Sequence, residues 1–263
     1  MRRRLSFLSV LAALLLAVLV IAPSAARPAA AAAPMPPTYL LADMVTLDRA
    51  YIAALAVTSL EKLEPSQKSM AILVPTWAAF QAKYIGSNPA DPQWRPDFDA
   101  VNDMIGRADE IVRANSGLVA AHDELEDVRI TLMGLRERNG LTYYVDHLTR
   151  FHEPMEAIVL AAKGKTPQTL SAADLDVIQS HLPAARSIWV DVTAAPFDAA
   201  LFGFAPEKQA AMQKQLSAES AALSQLQAAL DAGDTPAIIQ RAVALKPAFS
   251  VLFMLFGDFD VLS

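Results

Sequence analysis

The stretch that decides the fold is AHDELEDVRITLMGLRERNGLTYYVDHLTRFHEPMEA, residues 121–157. It carries one small pattern twice, as His122-Asp123-Glu124-Leu125-Glu126 and as His152-Glu153-Pro154-Met155-Glu156. Each copy sets a histidine and a glutamate four residues apart, which on a helix stacks them on a single face. Arg138-Asn139-Gly140 between the copies is a helix stop followed by a turn. The cross pairs His122 with Glu156 and Glu126 with His152 are both centred on Asn139. An antiparallel hairpin folded at that turn brings each pair level.

Helix geometry says which way these groups point. At about 100° per residue, Val145, Leu148, Met155 and Val159 fall within roughly 60° of His152, with Thr149 and Glu156 at the stripe's edge. Around His122 the same count collects Leu118, Val119, Leu125 and Met133, with Glu126 beside them. Both pairs should face inward. A buried carboxylate must be paired, hydrogen-bonded, protonated or metal-bound. Two histidines and two glutamates at one level supply four nitrogen and oxygen ligands, the construction of helix-bundle metal sites. The expected site is therefore a transition-metal centre with His122, Glu126, His152 and Glu156 as ligands. Its donors suit iron, zinc, manganese or copper.

Arg129 competes with any such metal. It lies about 20° from His122 on the same face, and Arg136 about 40°. Three residues from Glu126, Arg129 can neutralise that carboxylate unaided. The alternative is a buried His/Glu/Arg layer that only sets helix register in a non-enzymatic structural or interaction protein. A second alternative is a b-type haem protein, with a histidine and one of the methionines on the motif faces, Met133 or Met155, as axial ligands. Asp146 and Glu153 fall roughly 100–120° round from His152 and read as a solvated face shared with Arg150. His147 falls on the opposite side of its helix.

Outward from the hairpin, the periodicity is helical throughout, with no alternating strand. The spacing predicts helices over Tyr39–Leu60, Ser66–Ile85, Asp97 to Ser116 and Leu118–Ala162, the last folded at Asn139. Ser171-Ala172-Ala173-Asp174 reads as a capping box opening a helix to about Thr193. Two more follow, Pro206–Asp231 on a seam of Met212, Leu216, Leu223, Leu226 and Leu230, and Thr235–Phe256. The class is all-α, seven to eight helices in one or two antiparallel bundles, several carrying an internal proline expected to kink them. Residues 39–263 form the helical domain. Trp77 and Trp189, each after a mid-helix proline, suggest two pseudo-repeats, 39–139 and 140–263.

The N-terminus is of another kind. Arg2-Arg3-Arg4, the apolar run Leu5–Ile21 and Ser24-Ala25-Ala26 make residues 1–26 a secretory signal peptide, or a membrane anchor if it stays uncleaved. Residues 27–38 form an Ala/Pro-rich tether. The expected location is the periplasm. Of 22 Lys/Arg and 28 Asp/Glu, cleavage removes three arginines and no acid, leaving a charge near −9. That balance argues against nucleic acid or anionic lipid as partner. With no cysteine, disulfides, thiolate metal sites, covalent haem and lipid attachment through a thiol are excluded. The chain holds no Gly-rich phosphate loop, nucleophile elbow, His-Glu-x-x-His or calcium loop, so no catalytic residue is assigned.

Overall fold

A computed structural model describes residues 39–88 and 90–262. The signal segment and tether lie outside them. The described residues are all-α, as the periodicity requires. In chain order the helices are α1 (Tyr39–Ser59), α2 (Leu63–Tyr84), α3 (Trp94–Ala114), α4 (Leu118–Arg138), α5 (Tyr144–Ala162), α6 (Ala172–Ala194), α7 (Ala199–Phe202), α8 (Pro206–Ala232) and α9 (Thr235–Met254). Eight are long, and α7 is a single turn in the connection between α6 and α8. Helix α3 starts earlier than Asp97 because Trp94 is drawn into the core, 1% exposed, its indole N–H donating to the Tyr84 carbonyl at 2.8 Å. Four prolines, Pro75, Pro154, Pro183 and Pro247, stand inside continuous helices.

Local chemistry accounts for the helix ends. The Ser171 hydroxyl accepts from the Asp174 amide, and the Asp174 carboxylate accepts from the Ser171 amide, closing the expected capping box. Lys165 Nζ adds a bond to the same carboxylate at 2.8 Å, and these contacts draw the Asp174 pKa down to about 2, Lys165 contributing most. Gly140 takes φ +65° at the hairpin turn, where a side chain would be strained. The Asn139 amide fastens that turn to the α2–α3 connection, donating to Asp91 at 2.8 Å and accepting from Asn88 at 2.6 Å.

One apolar core runs through all nine helices, from Leu40 and Trp77 to Phe249 and Phe256. Adjacent helices pair along their lengths: α1 with α2, α3 with α4, α5 with α6, and α8 with α9. The motif hairpin departs from expectation here. Helices α4 and α5 meet only over a short stretch, because α3 covers one and α6 the other. Between them α1 and α9 close in, and α9 packs firmly against α5. By length and composition α9 is apolar enough to cross a membrane, yet Ile238, Leu245, Phe249, Leu252 and Phe253 on one side of it are buried in this core.

Candidate functional site

The crossing of α4 and α5 is where the duplicated motif meets. His122 Nε2 lies 3.4 Å from Glu126 Oε1 along α4, and His152 Nε2 lies 3.7 Å from Glu156 Oε2 along α5. Glu126 Oε2 and His152 Nδ1, 3.9 Å apart, join the two helices. The level pairing of Glu126 with His152 is thus realised. Glu156 is drawn instead to α9, where Lys246 Nζ donates to its Oε1 at 2.9 Å. All four side chains are about one-fifth exposed, and His122, Glu126 and His152 line the floor of a recess.

Arg129 points into the cluster. Its Nη2 donates to both Glu126 Oε2 and His152 Nδ1 and sits between them, and the residue is only 6% exposed. Among the described residues, no group of three or more histidine and acidic side chains is placed to hold a metal ion. The guanidinium fills the space that the ion would share with those two donors.

These contacts fix the histidine tautomers. A guanidinium can only donate, so His152 Nδ1 accepts and the ring proton sits on Nε2. Burial, with Arg129 and Lys246 beside it, drives the His152 pKa down to about 2, so the ring is neutral at any physiological pH. His122 is the reverse case. Its Nδ1 lies 3.1 Å from the Leu55 carbonyl, which can only accept, so Nδ1 carries the proton. Its Nε2 faces the Glu126 Oε1 carboxylate oxygen across 3.4 Å. Arg129 Nε on the floor, and Glu156 Oε2 outside its lining, are buried without a hydrogen-bond partner.

Above this floor lies a half-open pocket of 290 Å³. Leu55 and Ala56 of α1 with Leu60 just beyond it form one wall, and Phe249, Phe253 and Met254 of α9 the other. Leu60 is 62% exposed at the mouth, an apolar side chain left in water beside an apolar recess. The volume is at the small end of ligand sites, which run from about 300 to 1,000 Å³ and combine apolar walls with a few polar groups.

Compared with protein-family models, curated proteins and solved structures, the chain matches none of them.

Several residues differ from the sequence reading. Val119, expected to face inward beside His122, is 55% exposed. Asp146, read as a solvated neighbour of Arg150, is 3% exposed and ion-paired with Arg136, while Arg150 turns to Glu137. The apolar stripe around His152 is as expected, with Val145, Leu148, Met155 and Val159 all buried. Lys246 was missed. Its signal was a cation in the most apolar helix of the domain, one of only two with Arg241, directly before Pro247.

Proposed function

We propose that the protein is a binding protein whose pocket between α1, α4, α5 and α9 takes a small ligand with an apolar body and a polar head. One observation carries this reading: an apolar recess of ligand size ends on the polar side chains of His122, Glu126, Arg129 and His152, where Arg129 Nε has no hydrogen-bond partner. Buried polar groups are nearly always satisfied in native proteins, so a floor with a donor left over leaves room for a ligand's polar end to complete it. Export to the periplasm fits the composition of residues 1–26. The test is uptake of the neutral apolar dye Nile red, read by its fluorescence. The wild-type protein should bind it saturably. Ala56→Trp, which fills the half-buried wall, should weaken binding at least tenfold with little change in melting temperature. A wild type that takes up no dye would sink the reading.

A second reading, metal binding at the duplicated motif, is favoured by one distance. A tetrahedral ion with bonds of about 2.1 Å holds neighbouring ligands about 3.4 Å apart. That is the separation of His122 Nε2 from Glu126 Oε1. To recruit His152, and Glu126 through its second oxygen, Arg129 would have to leave. Arg129→Met should therefore tighten zinc binding at least tenfold in calorimetry. Unchanged affinity in that variant would count against a metal centre.

A further inference from the structure

The floor of the pocket carries more hydrogen-bond donors than the protein uses, and that surplus selects a head group. A guanidinium has five N–H donors. In Arg129 those on Nη2 are spent on Glu126 Oε2 and His152 Nδ1. Its Nε–H is buried without a partner, and Nη1 makes no hydrogen bond to any described residue. At 6% exposure this cation is built into the core rather than laid on the surface. Lys246 lines the same pocket and spends one of its three N–H groups, on Glu156 Oε1 at 2.9 Å. His152 adds a further donor. Its Nδ1 accepts from Arg129, so its proton is on Nε2, and the Glu156 Oε2 facing that atom stands 3.7 Å away, beyond hydrogen-bond distance.

The acids nearby leave that surplus in place. Glu126 holds Arg129 and Glu156 holds Lys246, each through part of the cation's N–H groups only. Head groups differ in what they bring to such a floor. A primary ammonium adds three more donors. A hydroxyl adds lone pairs together with a proton that needs an acceptor of its own. An ionised carboxylate adds only lone pairs, on two oxygens. Hydrogen bonds from arginine or lysine to a carboxylate are roughly twice as strong as neutral ones, and a planar guanidinium can meet both oxygens at once. The walls specify the rest. Leu55, Leu60, Phe249, Phe253 and Met254 give an apolar body its surroundings. At about 30 Å³ per group, the share of one water in the liquid, 290 Å³ holds roughly ten non-hydrogen atoms, the size of octanoate.

Resting on the pocket reading above, we propose that the ligand is a monocarboxylate with an apolar tail of about eight carbons, its carboxylate held by Arg129 and Lys246. The experiment is isothermal calorimetry on the purified protein at pH 7.5 with sodium octanoate, n-octanol and n-octylamine as separate probes. A carboxylic acid, like the glutamate side chain with its pKa near 4.3, is ionised there. Octanoate should bind at least tenfold tighter than octanol, with octylamine weaker still. Lys246→Met should reduce the preference for octanoate over octanol at least threefold, and Arg129→Met should bring it to about one. Both variants should keep their uptake of Nile red, since neither touches the apolar walls. Arg129→Met leaves Glu126 short of its cation, so if that variant fails to fold, Lys246→Met alone carries the comparison. A preference that survives Lys246→Met unchanged overturns the seating of the carboxylate on this floor. Octanol or octylamine binding as tightly as octanoate overturns the carboxylate assignment while leaving the pocket in place. No saturable binding of Nile red or of any octyl compound overturns pocket and head group together.

Discussion

Replacing Glu219 by glutamine should make the protein more stable at pH 8.5 and leave its stability at pH 4 nearly unchanged. Glu219 sits in α8 with no exposed surface, and neither carboxylate oxygen has a hydrogen-bond partner. Burial drives its pKa from 4.5 up to about 8, against a small opposing effect from the Phe249 backbone amide on α9. Below pH 4.5 the group is protonated whether the chain is folded or not, and it adds no pH dependence. Between 4.5 and 8 the unfolded chain gives up this proton and the folded chain keeps it. Stability therefore falls with rising pH by about 1.4 kcal/mol per unit. Above pH 8 the loss is complete, roughly 5 kcal/mol in all. Glutamine has the same shape and does not titrate, so the variant lacks this slope. Urea unfolding at half-unit steps from pH 4 to 9 provides the check. Wild-type and Glu219→Gln curves that run parallel across this range would show that the carboxyl is not held protonated by its surroundings.

Glu219 also shows what helical periodicity conveys and what it hides. Its helix was legible from Met212, Leu216, Leu223, Leu226 and Leu230, and the first four are buried as that seam requires. Glu219 lies three residues after Leu216 and four before Leu223, inside the same stripe. An acid at such a position is a visible signal, but the pattern does not say whether the helix rotates to expose it or buries it. Packing of α8 against both α6 and α9 decided for burial.

The same limit applied at the candidate site. Spacing alone placed His122, Glu126, His152 and Glu156 on inward faces, and pairing across Asn139 brought Glu126 to His152. The hairpin symmetry went too far, because it treated α4 and α5 as each other's chief partner. Each has a longer contact with another helix, so the two cross over a short stretch and Glu156 passes out of reach of His122 toward Lys246. No periodicity reports that crossing angle, which depends on how eight long helices share one core. The direction of Arg129 was likewise open in the sequence. Its angle put it beside His122, yet whether a long cation fills a site or leaves it depends on where its charge finds partners. Here Glu126 and His152 both accept from it.

Deeper along the same helices, removing Arg136 should unfold the protein more readily than any change at the pocket. Arg136 is 2% exposed and grips Asp146 with Nε and Nη2, Nε lying 2.9 Å and 3.0 Å from the two carboxylate oxygens. Its guanidinium also lies over the Tyr143 ring, 4.6 Å from the centroid, and the Tyr143 hydroxyl donates to Asp48 at 2.8 Å. One buried cation thus serves two buried carboxylates from α1 and α5. Even with Arg136 present, burial lifts the Asp48 pKa to about 6, the arginine's charge being the largest influence against it. Arg136→Met keeps most of the volume and strands both acids. Breaking a buried pair in this way costs about 3–5 kcal/mol, because the remaining charge keeps its desolvation penalty without its partner. Asp48 can escape by taking up a proton, so its folded pKa, already raised, should rise further. A raised carboxyl pKa gives stability at low pH that is lost as pH climbs through it, so the deficit should be larger at pH 7.5 than at pH 4.5. Arg136→Met/Asp146→Leu should recover much of the loss, since an apolar pair often replaces a buried ion pair at little cost. Denaturant melts of wild type, single and double variants at the two pH values would decide. A single variant as stable as wild type at pH 7.5 would mean that this layer is wet enough to solvate its own acids.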